Sequence, residues 1–181
     1  MSYFYFASTL PELSLDQAPS LSSEDFTTLC REHLTGGDFA AMETLNEDAG
    51  SSRQGFVNLW KDKETQLRNA VVRVRASELQ RDPTPYLREQ KNVDTAVERT
   101  VGEAYGRATP REREQVLDRF RWSQAEGLAG FNAFSLDAIL AYAVKLKLAE
   151  RWAGMDDEAG RNKADEIVAH PSTTQNETEE N

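Results

Sequence analysis

Ser135-Leu-Asp-Ala-Ile-Leu-Ala-Tyr-Ala-Val-Lys-Leu-Lys-Leu-Ala-Glu-Arg-Trp152 is the stretch whose reading decides the fold. Leu136, Ile139, Leu140, Tyr142, Ala143, Val144, Leu146, Leu148, Ala149 and Trp152 make it apolar almost throughout. A strand of this length is unusual, whereas Ala and Leu are among the best helix formers. Ser135 suits an N-cap, Asp137 complements the positive end of the helix dipole, and Gly154 lies just past the last periodic residue. The charges at Asp137, Lys145, Lys147, Glu150 and Arg151 do not gather on one broad face when wound at ~100° per residue. A helix apolar around most of its circumference belongs inside a bundle. This one is too interrupted by charge to span a membrane. The stretch therefore specifies the central helix of a soluble helical domain and discloses no chemistry.

Working outward, 181 residues with 39% hydrophobic side chains suffice for one compact core. The expected organisation is a single helical domain over residues 1–170 and a disordered polar tail over residues 171–181. The net charge of −10 is unevenly spread. Residues 1–60 hold 2 basic and 9 acidic side chains, residues 61–121 hold 14 and 11, and residues 122–181 hold 5 and 11. An acidic chain repels nucleic acid and anionic lipid, and the weakly basic middle third interleaves its signs as solvated helix faces do. Neither nucleic-acid binding nor direct membrane insertion is expected. Cys30 is the only cysteine, so neither an intrachain disulfide nor a cysteine-based zinc site can form. The apolar N-terminus lacks the basic region of a secretory signal, and the expected location is cytoplasmic.

The aromatic run from Tyr3 to Leu10 is too short for periodicity to choose between a strand and a buried helix turn. Ser22-x-x-Asp25 approximates a capping box before a helix with Phe26, Leu29, Cys30, His33 and Leu34 at helical spacing. Thr35-Gly-Gly-Asp38 caps a short helix carrying Phe39, Met42 and Leu45, and residues 46–55 form a connection. The longest helical pattern runs from Phe56 to about Arg81 and must break at Asp82-Pro-Thr-Pro85. Another helix starts near Asn92, and Thr109-Pro-Arg-Glu112 combines N-cap Thr, Pro at N1 and Glu at N3. Met155-Asp-Asp-Glu158 opens a last helix with Ile167 and Val168 inward, closed by Pro171. The expected fold is all-α, an irregular bundle of about six or seven helices, the N-terminal run remaining open between strand and helix.

Chemical signatures are sparse. No glycine-rich phosphate loop, Gly-x-Ser-x-Gly elbow or His-Glu-x-x-His is present. His33 reads as a core or boundary histidine, His170 as a helix C-terminal residue, and Cys30 as a small buried hydrophobe rather than half of a thiolate–imidazole pair. Asp156, Asp157 and Glu158 fit a helix N-terminus better than a cation site. Trp60, Trp122 and Trp152 read as core anchors. The expectation is a protein without catalytic residues, metal or cofactor. Its candidate protein interface comprises Arg68, Arg73 and Arg75, a docking face for an acidic partner, and Tyr142, Lys145, Lys147, Arg151 and Trp152, the exits of the central helix from the core.

Three segments together resemble an uncharacterised bacterial family encoded among the subunits of V-type ATP synthases. They are Tyr3-Phe-Tyr-Phe-Ala-Ser-Thr-Leu-Pro-Glu-Leu13, Phe26-x-x-Leu-Cys-Arg-Glu-His-Leu34, and Ala141-Tyr-Ala-Val-Lys-Leu-Lys-Leu-Ala-Glu-Arg-Trp152 followed by Asp156 and Gly160. The order and spacing of the three carry the resemblance. It implies a reduced form of the central-stalk C (or d) subunit, an all-helical connector between rotor shaft and membrane ring in proton transport. The partners it implies are rotor or ring subunits, and the location peripheral to the inner membrane. A transient assembly or regulatory adaptor of the same complex is the alternative, with a small-molecule enzyme a third. The resemblance supplies no catalytic residues. A connector should separate acidic from basic faces, and an adaptor should show a single apolar patch.

Overall fold

The computed structural model describes residues 3–47, 50–90 and 94–155. They form seven α-helices: α1 (Phe4–Thr9), α2 (Ser23–His33), α3 (Gly36–Asn46), α4 (Gly55–Glu78), α5 (Thr95–Tyr105), α6 (Pro110–Ala129) and α7 (Leu136–Ala153). A single 3-10 turn, Thr84–Tyr86, interrupts the connection from α4 to α5, and no strand occurs among the described residues. The protein is an all-α irregular bundle. The expected helix after Met155, His170 and the polar tail lie outside the described residues.

The opening stretch is α7. Ser135 accepts a hydrogen bond from the Ala138 N–H at 3.2 Å, and Ile139, Leu140, Ala141, Ala143, Val144, Leu146, Leu148 and Ala149 are buried. Burial on several faces follows from position, since α7 packs against α2, α3, α4 and α6. Glu150 ties it to the start of α2. Its Oε1 accepts the Ser23 backbone N–H at 2.6 Å and its Oε2 accepts the Ser23 hydroxyl. A carboxylate at a helix N-terminus answers donors that the helix cannot satisfy itself.

The N-terminal aromatic run is a helix and not a strand. Tyr3 and Phe6 are buried three residues apart, while Phe4 and Tyr5 are exposed. The hydroxyls of Ser8 and Thr9 bond back to the carbonyls of Phe4 and Phe6 at 2.7 and 2.8 Å, and the Tyr3 N–H donates to the Phe134 carbonyl at 2.8 Å. A strand in this place would have found no neighbouring strand to pair with among the described residues.

The caps divide into full and partial ones. Thr109 and Glu112 form a true capping box, with Glu112 N–H to Thr109 Oγ1 at 3.2 Å and Thr109 N–H to Glu112 Oε2 at 3.1 Å. Ser22 accepts the Asp25 N–H at 3.0 Å, but the shorter Asp25 side chain meets the Ser22 hydroxyl at 2.7 Å instead of the backbone. α5 starts at Thr95, capped by Asp94, whose carboxylate accepts the Ala96 N–H at 2.9 Å. His33 departs from the inward stripe expected of it. The buried residues of α2 centre on Cys30, and His33, about 60° off that line in the last turn, is exposed with its ring over Phe6 at 4.9 Å.

Two apolar clusters result. The larger joins α1, α2, α3 and α7 with Phe56, Val57 and Trp60 of α4 and Ala125 of α6. The smaller gathers Leu67 and Ala70 of α4, Val97, Val101 and Ala104 of α5 and Leu117 of α6. α4 and α6 are long enough to serve both, and charged residues occupy the seam between.

Candidate functional site

That seam holds the charged centre of the protein. Asp118 on α6 is fully buried. It accepts from Arg121 Nη1 at 2.7 Å, from Arg151 Nη1 at 3.0 Å and from Trp152 Nε1 at 3.0 Å. Arg121 sits one turn after Asp118 on α6, and Arg151 and Trp152 come from the last turn of α7. Arg121 also donates from Nε to both oxygens of Glu64 on α4, at 3.1 and 3.2 Å, and Arg151 to Glu114 at 2.9 Å. Burial would lower the Arg121 pKa, but the charges of Glu64 and Asp118 outweigh it and push the guanidinium above its ordinary value. The centre is therefore a closed chain of alternating charges.

A cavity of about 450 Å³ opens beside it, bounded by Trp60, Arg68, Val71, Arg75, Arg88, Leu117 and Arg121 among others. A second, of about 300 Å³, adds Val144, Lys147, Leu148 and Arg151. The two share Leu45, Asn46, Trp60, Glu64 and Arg121, so they form one groove with a partly apolar floor. Two of its carboxylates, Glu64 and Glu114, are neutralised by Arg121 and Arg151, while Glu47 stands exposed at the rim.

Several of its cations are not matched in this way. The Arg75 Nε donates to the neutral Tyr105 hydroxyl at 2.7 Å, and Lys147 donates to the Asn46 side-chain oxygen at 2.7 Å. Burial pulls the Lys147 ammonium below its ordinary value, partly offset by Glu150. Arg68 and the Arg88 guanidinium have no ion-pair partner among the described residues, although both are exposed. A chain of net charge −10 thus presents a groove where positive charge prevails.

Arg88 reaches this groove because of Asn69, a buried residue on α4. Asn69 Oδ1 accepts the Arg88 N–H at 2.9 Å, and its Nδ2 donates to the Arg88 carbonyl at 2.8 Å and to Gln90 Oε1 at 2.7 Å. One side chain thereby pins the segment following the 3-10 turn onto α4.

Of the candidate interface residues, Arg68, Arg75, Lys147 and Arg151 line the joined groove. Arg73 instead pairs with Glu98 of α5 at 3.0 Å. Lys145 lies over the Trp122 ring at 4.5 Å, pairs with Glu126 at 2.8 Å, and shares a separate cleft with Tyr142. Tyr142 and Trp152 are half-buried, and each spends its polar atom inside the fold, the Tyr142 hydroxyl on the Pro11 carbonyl at 3.0 Å and the Trp152 indole on Asp118. Sequence reasoning missed Glu64, Asn69, Arg88, Asp118 and Arg121. A partial signal existed for two of them, since Asp118 and Arg121 stand three apart on one helix face.

Cys30 and His33 do not form a nucleophilic pair. Burial pushes the Cys30 thiol up to about 12, whereas His33 is exposed. The thiol of the native protein should stay unreactive toward a disulfide reagent between pH 7 and 9 and react after unfolding in urea. Because the folded value lies above the usual 9.0, its contribution to stability is complete below that value and declines as pH rises from about 9 to 12. Rapid labelling of the native thiol at neutral pH would contradict its burial.

No group of His, Cys, Asp and Glu among the described residues is arranged to hold a metal ion, and Asp156, Asp157 and Glu158 lie outside those residues. No described helix is long and apolar enough to cross a membrane. Residues 41–172 match the model of a family described as a protein of unknown function, DUF2764. No curated protein and no solved structure matches the chain.

Proposed function

The chain belongs to the DUF2764 family, and from that premise we propose that it is a non-catalytic subunit or accessory protein of a V-type ATPase, acting as a connector between rotor shaft and membrane ring. The observation that carries this reading is the groove along α4, where Arg68, Arg75 and Arg88 have no carboxylate partner among the described residues, on a chain of net charge −10. Separate faces of opposite sign steer and orient docking partners. An all-helical body and the three segments that resemble the ATPase-associated family agree with that role.

A specific observation favours the second reading, a transient adaptor of the same complex. Phe4, Tyr5 and Phe131 are exposed around the junction of α1 with the loop before α7, and Phe4 packs on Phe134 at 4.6 Å. Exposed apolar patches mark interaction sites, and a single such patch is what an adaptor needs.

Affinity purification of the ATPase from membranes through a rotor subunit distinguishes the two. Stoichiometric retention after a high-salt wash is the connector's result. Presence in assembly intermediates and loss from the mature complex is the adaptor's. Absence from both kinds of particle would end the ATPase assignment.

A further inference from the structure

Lys61, Arg68 and Arg75 follow one another on α4 at intervals of seven residues. Seven residues are nearly two turns, so the three share one side of the helix at steps of about 10.5 Å, spanning about 21 Å. Lys61 is anchored at one end by donating to the Gly50 carbonyl at 3.1 Å. Arg88, held by Asn69, adds a cation from the segment beyond the 3-10 turn. Half-buried Val71 offers apolar surface between the charges, and the buried Trp60 and Leu117 complete the lining.

The pattern selects an occupant. A nucleotide or other small polyanion calls for cations that converge on one point. Here they run in a line, and carboxylates share the lining. A straight row of cations with a two-turn repeat, beside an apolar floor, matches a helix laid alongside α4. Such a helix would press an apolar stripe on the floor and present an acid every second turn. A span of about 21 Å corresponds to about fourteen residues of that helix.

We propose that this groove binds one amphipathic helix of a partner protein, with Asp or Glu at seven-residue intervals facing Lys61, Arg68 and Arg75. The proposal rests on the docking role above and not on which assembly supplies the helix.

The test uses the full chain in cells, with the photo-crosslinking residue benzoylphenylalanine placed at Arg68 and, separately, at Val71. The captured peptide is sequenced, made synthetically, and titrated against the purified protein. The expected capture is a helical segment with acids spaced by seven. Its affinity should fall at least tenfold in the double variant Arg68→Glu, Arg75→Glu and recover when the facing acids are changed to lysine. Arg73→Glu, already paired with Glu98, should leave it unchanged. Circular dichroism of each variant confirms that the helices are retained. Capture of lipid, nucleic acid, a second copy of this chain or a segment without spaced acids overturns the proposal, as does the absence of any crosslink. Where the captured helix belongs to the ATPase, co-purification that persists in the double variant would sink the groove and spare the ATPase reading. A captured acidic helix from an unrelated protein would do the reverse.

Discussion

Asp118→Ala should lower the unfolding free energy by about 3 kcal/mol, the low end of what breaking a buried ion pair costs. The carboxylate is fully buried and receives Arg121, Arg151 and the Trp152 indole at 2.7 to 3.0 Å. Removing it strands an indole N–H and leaves two guanidinium groups without their shared anion. The loss stays near the low end because Arg121 keeps Glu64 and Arg151 keeps Glu114. Glu103 and Arg107, an exposed pair one turn apart, provide the contrast, since Glu103→Ala should cost well under about 1 kcal/mol. Urea titration of the three proteins checks this. A smaller loss in Asp118→Ala than in Glu103→Ala would mean that the seam is not the closed network described.

Leu140→Ala is expected to cost about 3 to 4 kcal/mol, lost transfer energy and the cavity left behind together. Leu140 is fully buried in the larger cluster on a helix held by α2, α3, α4 and α6, so its surroundings have little freedom to collapse. Leu79, just beyond the end of α4 and largely exposed, should tolerate the same change within about 0.5 kcal/mol. In a chain of this size the Leu140 variant should melt about 10 °C lower. An unchanged melting temperature would show that α7 is not the centre of the core.

The central helix was legible because its composition, its cap and its apolar circumference all agree. So was the start of α6, where Thr109, Pro110 and Glu112 specify a box by local chemistry alone. The aromatic N-terminus was not, since the partner of the Tyr3 N–H is the carbonyl of Phe134, in the loop before α7 and remote in sequence. The same holds for the seam. Asp118 looks like one of many charges on a polar helix until α7 delivers Arg151 and Trp152 to it. The row Lys61, Arg68, Arg75 stands in the sequence as a spacing, but the interleaved Asp62 and Glu64 disguise it as an ordinary solvated face. Arg88 joins only through Asn69, across two prolines whose turn geometry no periodicity encodes.

The dependence of the N-terminal helices on α7 has a consequence in time. Phe26, Cys30 and Met42 bury themselves in a cluster that includes α7, whereas α4, α5 and α6 meet through contacts closer in sequence. On a ribosome adding about 5 to 20 residues per second, α3 is complete about 5 to 20 seconds before α7 emerges. During that interval the smaller cluster can close, while the apolar sides of α2 and α3 lack their main cover. The interval is the chain's period of greatest exposure to aggregation and to chaperones. The completion of α7 ends it.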